Sequence, residues 1–178
     1  TDGIRTTGGS KLYLDYVPGF TATTITRLSE AGAIMMGKLA THEFASGITP
    51  EDHPLPPARN PWNPSRIPGG SSSGSGAALA AGLVAGALGT DTGGSIRHPG
   101  TACGIAALKP TYGRCSRAGV FPLSWSLDHT GPMARSCEDL ALMLQAMAGY
   151  DSADPASSTA PVDDYTATLK DGIAGLRI

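Results

Sequence analysis

Apolar residues recur at helical spacing in two stretches of the chain and gather into short runs elsewhere. From Thr21 to Ala33, the positions Ile25, Leu28 and Ala31 fall about one turn apart and predict a helix, with Gly32 near its end as a stop signal. The run Ala33-Ile34-Met35-Met36-Gly37 is short and uniformly apolar, so it predicts a buried strand, and Lys38 after it reads as a solvated or paired surface charge. Ser75 to Val84 is dominated by alanine, with Leu79 its only large side chain before Leu83. Such a helix can lie close against a sheet or another backbone and is expected to be buried. Ala87-Leu88-Gly89-Thr90-Asp91 predicts the next strand, a short helix is expected to start at Ser95, and Gly104 to Lys109 predicts another strand that Pro110 ends. Ser136-Cys137-Glu138-Asp139 opens an amphipathic helix with Leu140, Leu144 and Met147 on one face and Gly149 closing it.

Positions 46 to 68 break this pattern. Pro50, Pro54, Pro56, Pro57, Pro61, Pro64 and Pro68 fall there with few regularly spaced apolar residues, which predicts a long surface loop. Helices alternating with short buried strands argue for α/β architecture, and no internal repeat is evident. Thr1 to Ser10 begins within a polar loop, and Gly175-Leu176-Arg177-Ile178 reads as the first residues of a strand. The chain is therefore expected to be a piece of a longer protein.

Composition narrows the function classes a little. The 178 residues, 40% hydrophobic and 16% charged, suit one globular domain, and 24 glycines with 14 prolines spread among periodic segments imply irregular connections. A net charge of −2 gives no basic footprint for nucleic acid. Cys103, Cys115 and Cys137 cannot all pair and show no CxxC spacing, which favours a reducing, cytoplasmic compartment over a disulfide framework or structural zinc. The most apolar stretch, Ala77 to Leu88, is too short to span a bilayer, so no membrane association is expected.

The chemistry concentrates in Gly69 to Gly100. Ser71, Ser72, Ser73 and Ser75 are bracketed by glycines, and Asp91-Thr92-Gly93-Gly94-Ser95-Ile96-Arg97 repeats the theme after one helix and one strand. A serine hydroxyl needs a base to take its proton and donors to hold the oxyanion that forms on a substrate carbonyl. Thr92-Gly93-Gly94-Ser95 can supply the donors, because glycine lets the chain turn sharply and aim successive N–H groups at one point, with a helix start adding a favourable dipole. A glycine-rich turn with a capping serine, or a phosphate cradle, would look similar, although GxxxxGK[ST] and GxGxxG are both absent. His98, three residues after Ser95, is a poor base because separate segments normally supply such groups, and His42, His53 and His129 read as surface or hydrogen-bonded core histidines. The cysteines lack a neighbouring histidine motif, and no HExxH or paired-ligand spacing implies a metal.

Together, Gly69-Gly70-Ser71-Ser72-Ser73-Gly74, the alanine-rich helix and Gly89-Thr90-Asp91-Thr92-Gly93-Gly94-Ser95-Ile96-Arg97-His98-Pro99 closely resemble the motif of the amidase signature family, serine hydrolases of amide bonds. Gly37-Lys38 with His42-Glu43-Phe44-Ala45, Lys109-Pro110-Thr111-Tyr112-Gly113-Arg114, and Ser126-Leu127-Asp128-His129-Thr130-Gly131-Pro132 also look like family segments, so the resemblance covers essentially the whole chain. It implies an α/β amidase-signature fold with a mixed central sheet flanked by helices. Residues 1–178 would be part of that domain, with the signature core at about 69–115, and the domain would continue past both ends.

The same resemblance implies a Ser–Ser–Lys triad. Ser95 matches the nucleophile that forms the acyl-enzyme, and Ser71 the bridging serine on a cis peptide that relays the proton. Thr92, Gly93, Gly94 and Ser95 match the backbone oxyanion hole, while Ser72, Asp91 and Arg97 match supporting residues. The triad lysine belongs to a segment preceding the stretch that matches Thr1 to Ser10, so it is not in this chain, and Lys38 stands in a different family position. By itself the chain is expected to be inactive. The resemblance implies a small-molecule amide substrate, no cofactor and no metal, no direct contact with nucleic acid, and allows a homodimer. Two other functions fit: the glutamine-hydrolysing subunit of a tRNA-dependent amidotransferase, and a non-catalytic binding module on an amidase scaffold.

Overall fold

A computed structural model describes residues 1–51, 53 and 55–177. Its regular elements are α1 (Thr23–Glu30), α2 (Ser73–Ala80), β1 (Gly86–Asp91), α3 (Arg97–Cys103), β2 (Ala106–Ala107), β3 (His129–Ala134) and α4 (Cys137–Met147), with 3-10 turns at Lys11–Tyr13 and Glu43–Ala45. The architecture is mixed α/β. One three-stranded sheet in the order β1-β3-β2 is antiparallel throughout, and the β1–β3 register sets Gly89 against Gly131 and Asp91 against His129.

Side chains alternate across β1, so each face of the sheet gathers its own core. On one face Ala87 joins Leu79 of α2, Ile96 and Met133, with Val84, Ile105 and Ala107 around them. On the other, Leu88 and Leu108 pack with Leu144 and Met147 of α4 and with Cys115 and Leu28. The alanine- and glycine-rich α2 approaches its neighbours closely: a Cβ on Gly76 would lie 2.9 Å from Pro99 Cβ, and one on Gly74 would lie 2.5 Å from Ala40 N. The Ser75 hydroxyl of α2 reaches β1 and donates to the Leu88 carbonyl at 2.7 Å. Helix α4 starts as its sequence predicts, with Ser136 Oγ accepting from Asp139 N–H.

Several expectations are corrected. Ala33 to Gly37 is not a strand: the segment is irregular and exposed, with Ile34 at 85% and Met36 at 79%. A strand needs a hydrogen-bonded neighbour, and none pairs with this segment among the described residues. Lys38 beside it is exposed. Of the strand expected from Gly104 to Lys109, only Ala106–Ala107 pairs, because α3 runs to Cys103 and Gly104 closes it in the left-handed conformation at φ 66°. Helix α3 begins at Arg97, which leaves Ser95 in the turn before it. The alanine-rich helix ends at Ala80, ahead of the expected Val84. Residues 175–177 are turn and coil, and the end of the strand expected there, Ile178, lies outside the described residues. So do Asp52 and Pro54 of the proline-rich connection, whose described residues hold only turns and the isolated Asn60–Asn63 bridge.

Candidate active site

Strand β1 ends on Asp91, and that carboxylate organises the turn after it. Asp91 is fully buried. Its Oδ1 accepts from Gly94 N–H at 2.7 Å and from Arg97 Nη2 at 3.0 Å, while Oδ2 accepts from Ile96 N–H at 3.1 Å, Arg97 N–H at 3.4 Å and Arg97 Nε at 3.0 Å. Burial pushes the carboxyl upward, but the Arg97 guanidinium and the three N–H groups outweigh it and hold Asp91 below the usual carboxylate range. The 91–97 loop is thus wound around a buried negative charge.

That winding decides which backbone donors are available. Gly94 N–H points at Asp91, so the four-donor set expected from Thr92 to Ser95 is reduced by one. The N–H groups of Thr92, Gly93 and Ser95 have no hydrogen-bond partner among the described residues. Gly93 is exposed, and a Cβ added there would meet nothing within 4 Å. Gly94 differs: its φ is 135°, and a Cβ would lie 2.5 Å from Nε2 of His98, whose ring covers it. His98 is exposed and is held there by its own N–H donating to the Gly94 carbonyl at 2.7 Å.

The second serine loop meets the first along its backbone. Ser72 N–H donates to the Ser95 carbonyl at 3.2 Å, and the Ser72 hydroxyl sits against β1, 3.2 Å from Thr90 N. Gly69, at φ 77°, lets the chain pass so near α3 that a Cβ would lie 2.8 Å from Pro99 N. The Gly70–Ser71 peptide is cis. The Ser71 carbonyl accepts from His42 N–H at 3.0 Å, Thr41 Oγ1 at 2.9 Å and Ser73 N–H at 2.8 Å. The His42 ring lies directly over Gly70 Cα, and burial pushes its pKa down, favouring the neutral imidazole. With its backbone so held, Ser71 is buried, yet its Oγ has no hydrogen-bond partner among the described residues. Ser95, whose carbonyl takes the Ser72 N–H, is half-buried.

Beside this junction opens a cavity of about 400 Å³ lined by Thr92, Asp128 and His129 on one side and by Val120, Phe121, Leu123 and Trp125 on another. Its rim charge is already engaged: Arg117 binds Asp154 at 3.0 Å through Nη2 and the Trp125 carbonyl at 2.5 Å through Nη1. Phe121 stacks on Phe44 at 5.0 Å, which ties this wall to the Glu43–Ala45 turn.

The expected residues Ser71, Ser72, Asp91, Thr92, Gly93, Gly94, Ser95 and Arg97 all fall in this one region. Sequence reasoning passed over Asp128 and gave His129 no role in the site. Asp128 Oδ1 accepts from Thr92 Oγ1 at 2.5 Å. His129 Nδ1 lies 3.1 Å from the Asp91 carbonyl and 2.6 Å from that of Leu127. Carbonyls only accept, so Nδ1 carries the hydrogen and Nε2 accepts from Lys109 Nζ at 3.2 Å. The available signal was the Ser126 to Pro132 segment, which stands out in sequence without disclosing what its side chains touch. No group of residues suited to a metal occurs among the described residues, and no helix among them is long and apolar enough to cross a membrane.

Known proteins share this fold. The Amidase family model matches residues 1–178. The A-type subunit of glutamyl-tRNA(Gln) amidotransferase from Anaeromyxobacter sp. (strain K) is 53% identical over the whole chain, which spans 36% of that relative's length. The crystal structure of the corresponding glutamyl-tRNA(Gln) amidotransferase subunit from Thermotoga maritima superposes with a TM-score of 0.93 at 41% identity, covering 98% of this chain and 38% of that one. Native peptide amidase from Stenotrophomonas maltophilia gives 0.86 at 42% identity, covering 95% and 36%. A matching family model along the full length, with the fold reproduced in these structures, places the chain in the amidase family.

Proposed function

We propose that the protein containing this chain is an amidase that hydrolyses a carboxamide C–N bond through a serine acyl-enzyme, and that residues 1–178 are part of its catalytic domain, with the signature core at about 69–115. One observation carries this reading. Next to half-buried Ser95, the Asp91-wound loop leaves the N–H groups of Thr92, Gly93 and Ser95 unclaimed, and the joined loop holds a buried Ser71 hydroxyl without a partner among the described residues. Unpartnered buried hydroxyls are uncommon, and one in a loop joined to that of a nucleophilic serine is suited to proton relay.

In this mechanism Ser95 Oγ attacks the amide carbonyl carbon and gives its proton to Ser71 Oγ, which passes its own to the amine of a lysine supplied from outside residues 1–178. The tetrahedral oxyanion is held by the N–H groups of Thr92, Gly93 and Ser95, a donor set whose members are each worth about 10²- to 10³-fold in rate. Collapse breaks the C–N bond, and the leaving nitrogen takes a proton back along the relay. Water then attacks the Ser95 ester and releases the carboxylate. The residues supply this chemistry without a cofactor. The substrate is a small amide, the compartment cytoplasmic, and no direct contact with nucleic acid is needed.

Phenylmethanesulfonyl fluoride tests the reading in the full-length protein, since serine attack forms a sulfonyl ester and expels fluoride. Modification mapping to Ser95, lost in Ser95→Ala and slowed in Ser71→Ala, is expected. An unmodified Ser95 in a protein that still releases ammonia from amides would overturn the assignment. Residues 1–178 alone are expected to react no faster than free serine.

A second reading has support in the 53% identity to a protein named as a glutamyl-tRNA(Gln) amidotransferase component. In that case the same site would hydrolyse glutamine and pass ammonia to a partner protein. Glutaminase activity appearing only with that partner and charged tRNA would decide for it. A non-catalytic binding module would leave Ser95 unmodified and no amide hydrolysed.

A further inference from the structure

We propose that Asp128 is a positioning residue that holds the oxyanion-forming loop and the wall of the adjoining cleft in one register. Its two carboxylate oxygens serve two different structures. Oδ1 accepts the Thr92 hydroxyl at 2.5 Å, 36 residues away in sequence. Oδ2 accepts the N–H groups of Leu123 at 2.8 Å and Ser124 at 2.9 Å, and Asp128 N–H returns a bond to the Ser124 carbonyl at 3.0 Å. The second set alone would make Asp128 a turn-closing residue. The bond to Thr92 is what a turn does not need.

Thr92 and Asp128 both line the 400 Å³ cavity, and so do Val120, Phe121, Leu123 and Trp125 of the loop that Asp128 closes. An acyl group lying against that apolar wall is therefore set relative to Thr92 N–H by a single carboxylate. Asp128 is only 7% exposed, and its buried charge is compensated by these hydrogen bonds and, through space, by the Arg117 guanidinium, whose own hydrogen bonds go to Asp154 and Trp125. His129, the next residue, fixes the Asp91 carbonyl through Nδ1. Two consecutive residues at the entry to β3, Asp128 and His129, thus hold two consecutive residues at the exit of β1, Thr92 and Asp91. The inference rests on the hydrolase reading, because it gives Thr92 N–H its role.

The test uses the full-length protein with p-nitrophenyl acetate and p-nitrophenyl phenylacetate, whose serine attack expels p-nitrophenolate. First-turnover release gives a maximal acylation rate and a half-saturating ester concentration. Thr92→Val keeps the backbone donor but frees it from Asp128, and is expected to lower the maximal rate on both esters about 10-fold without moving half-saturation, less than the loss on deleting a donor. In Asp128→Asn the amide oxygen can keep accepting from the Leu123 and Ser124 N–H groups while the amide NH2 donates to Thr92 Oγ1, which accepts as well as donates. It is the conservative variant and is expected to keep rate and half-saturation near wild type on both esters. Asp128→Ala is expected to lower the rate as Thr92→Val does and also to raise half-saturation severalfold for the phenylacetyl ester, and adding Thr92→Val to it should cost no further rate.

Wild-type rates in Thr92→Val, or additive losses in the double variant, would overturn the proposal, and Thr92→Val keeps it testable if Asp128→Ala does not fold. If Ser95→Ala releases p-nitrophenolate as fast as wild type, the hydrolase reading itself fails. Hydrogen exchange then still reads the coupling: Asp128→Ala must accelerate exchange at 119–125, and Thr92→Val at 92–95. Unchanged exchange in both segments overturns it.

Discussion

Asp91 and Arg97 form a two-point ion pair, Nε to Oδ2 and Nη2 to Oδ1 both at 3.0 Å, in which the carboxylate is fully buried and the guanidinium half exposed. The asymmetry sets what each residue does. Asp91 also receives the N–H groups of Gly94, Ile96 and Arg97, whereas Arg97 has no other side-chain acceptor among the described residues. Asp91→Ala strands buried donors and is expected to destabilise by on the order of 3 kcal/mol. Arg97→Ala leaves three donors on the carboxylate and is expected to be milder. Urea unfolding of both variants checks the order, and equal losses would mean that the pair, not the loop, is what Asp91 supports.

Adjacent glycines of the same loop are expected to respond oppositely to alanine. At Gly93 a Cβ meets nothing within 4 Å and φ is not positive, so Gly93→Ala should leave melting temperature unchanged. At Gly94, φ of 135° and the His98 ring 2.5 Å from the new Cβ both oppose the change. Backbone strain alone costs on the order of 1–3 kcal/mol. Adding His98→Ala removes the clash and leaves the strain, so the double variant should recover only part of the lost melting temperature. Full recovery would locate the whole effect in the imidazole.

How much of this was legible depended on whether a feature is local. Helix α4 could be read because its Ser136 cap and its Leu140, Leu144 and Met147 face lie within one window of sequence. The serine loops could be read because glycine and serine spacing is itself the chemistry. Strand β3 could not: it sits in the middle of the sheet yet contains Gly131 and Pro132, which argue against a central strand. Its fit becomes clear only in three dimensions, where the Gly131 Cα lies against the Leu108 carbonyl and the Pro132 carbonyl accepts from Leu108 N–H at 3.1 Å. The apolar run at 33–37 misled for the converse reason, since hydrophobicity marks a strand only where a neighbour pairs with it. The Thr92–Asp128 bond spans 36 residues and follows from no spacing rule.

Arg27 of α1 is expected to hold α1 to the end of α4. Its Nη1 donates to the carbonyls of Met147 and Gly149, each at 3.0 Å, and its Nη2 to that of Tyr150 at 2.7 Å. These include carbonyls at and just beyond the helix end, which lack partners within it. A lysine ammonium is a point donor and cannot span all three, so Arg27→Lys should lose about 1–2 kcal/mol and Arg27→Ala somewhat more. Faster hydrogen exchange at 147–150 in both variants is the accompanying signature. Exchange there at the wild-type rate would show that α4 ends stably without the clamp.

Stability is expected to fall in two separate steps as pH is lowered. Burial depresses the His42 pKa, so the folded state favours the neutral ring while the unfolded chain protonates near about 6.5. Below that value the unfolded state binds more protons, and stability declines until pH passes the folded pKa. The carboxylates act lower and with the same sign. For Asp91 and Asp154, burial opposes the shift but is outweighed by Arg97 and Arg117 with their backbone donors, and for Asp151 the hydroxyls of Ser116 and Thr23 lower the value. Their contribution is complete above about 3.9 and is lost as pH falls through the depressed folded values. Melting temperature measured from about pH 8 to about pH 3 should therefore show an upper decline starting near about 6.5 and a lower one starting near about 4. His42→Gln should remove the upper decline and leave the lower, and an upper decline that survives this substitution would have to come from another group.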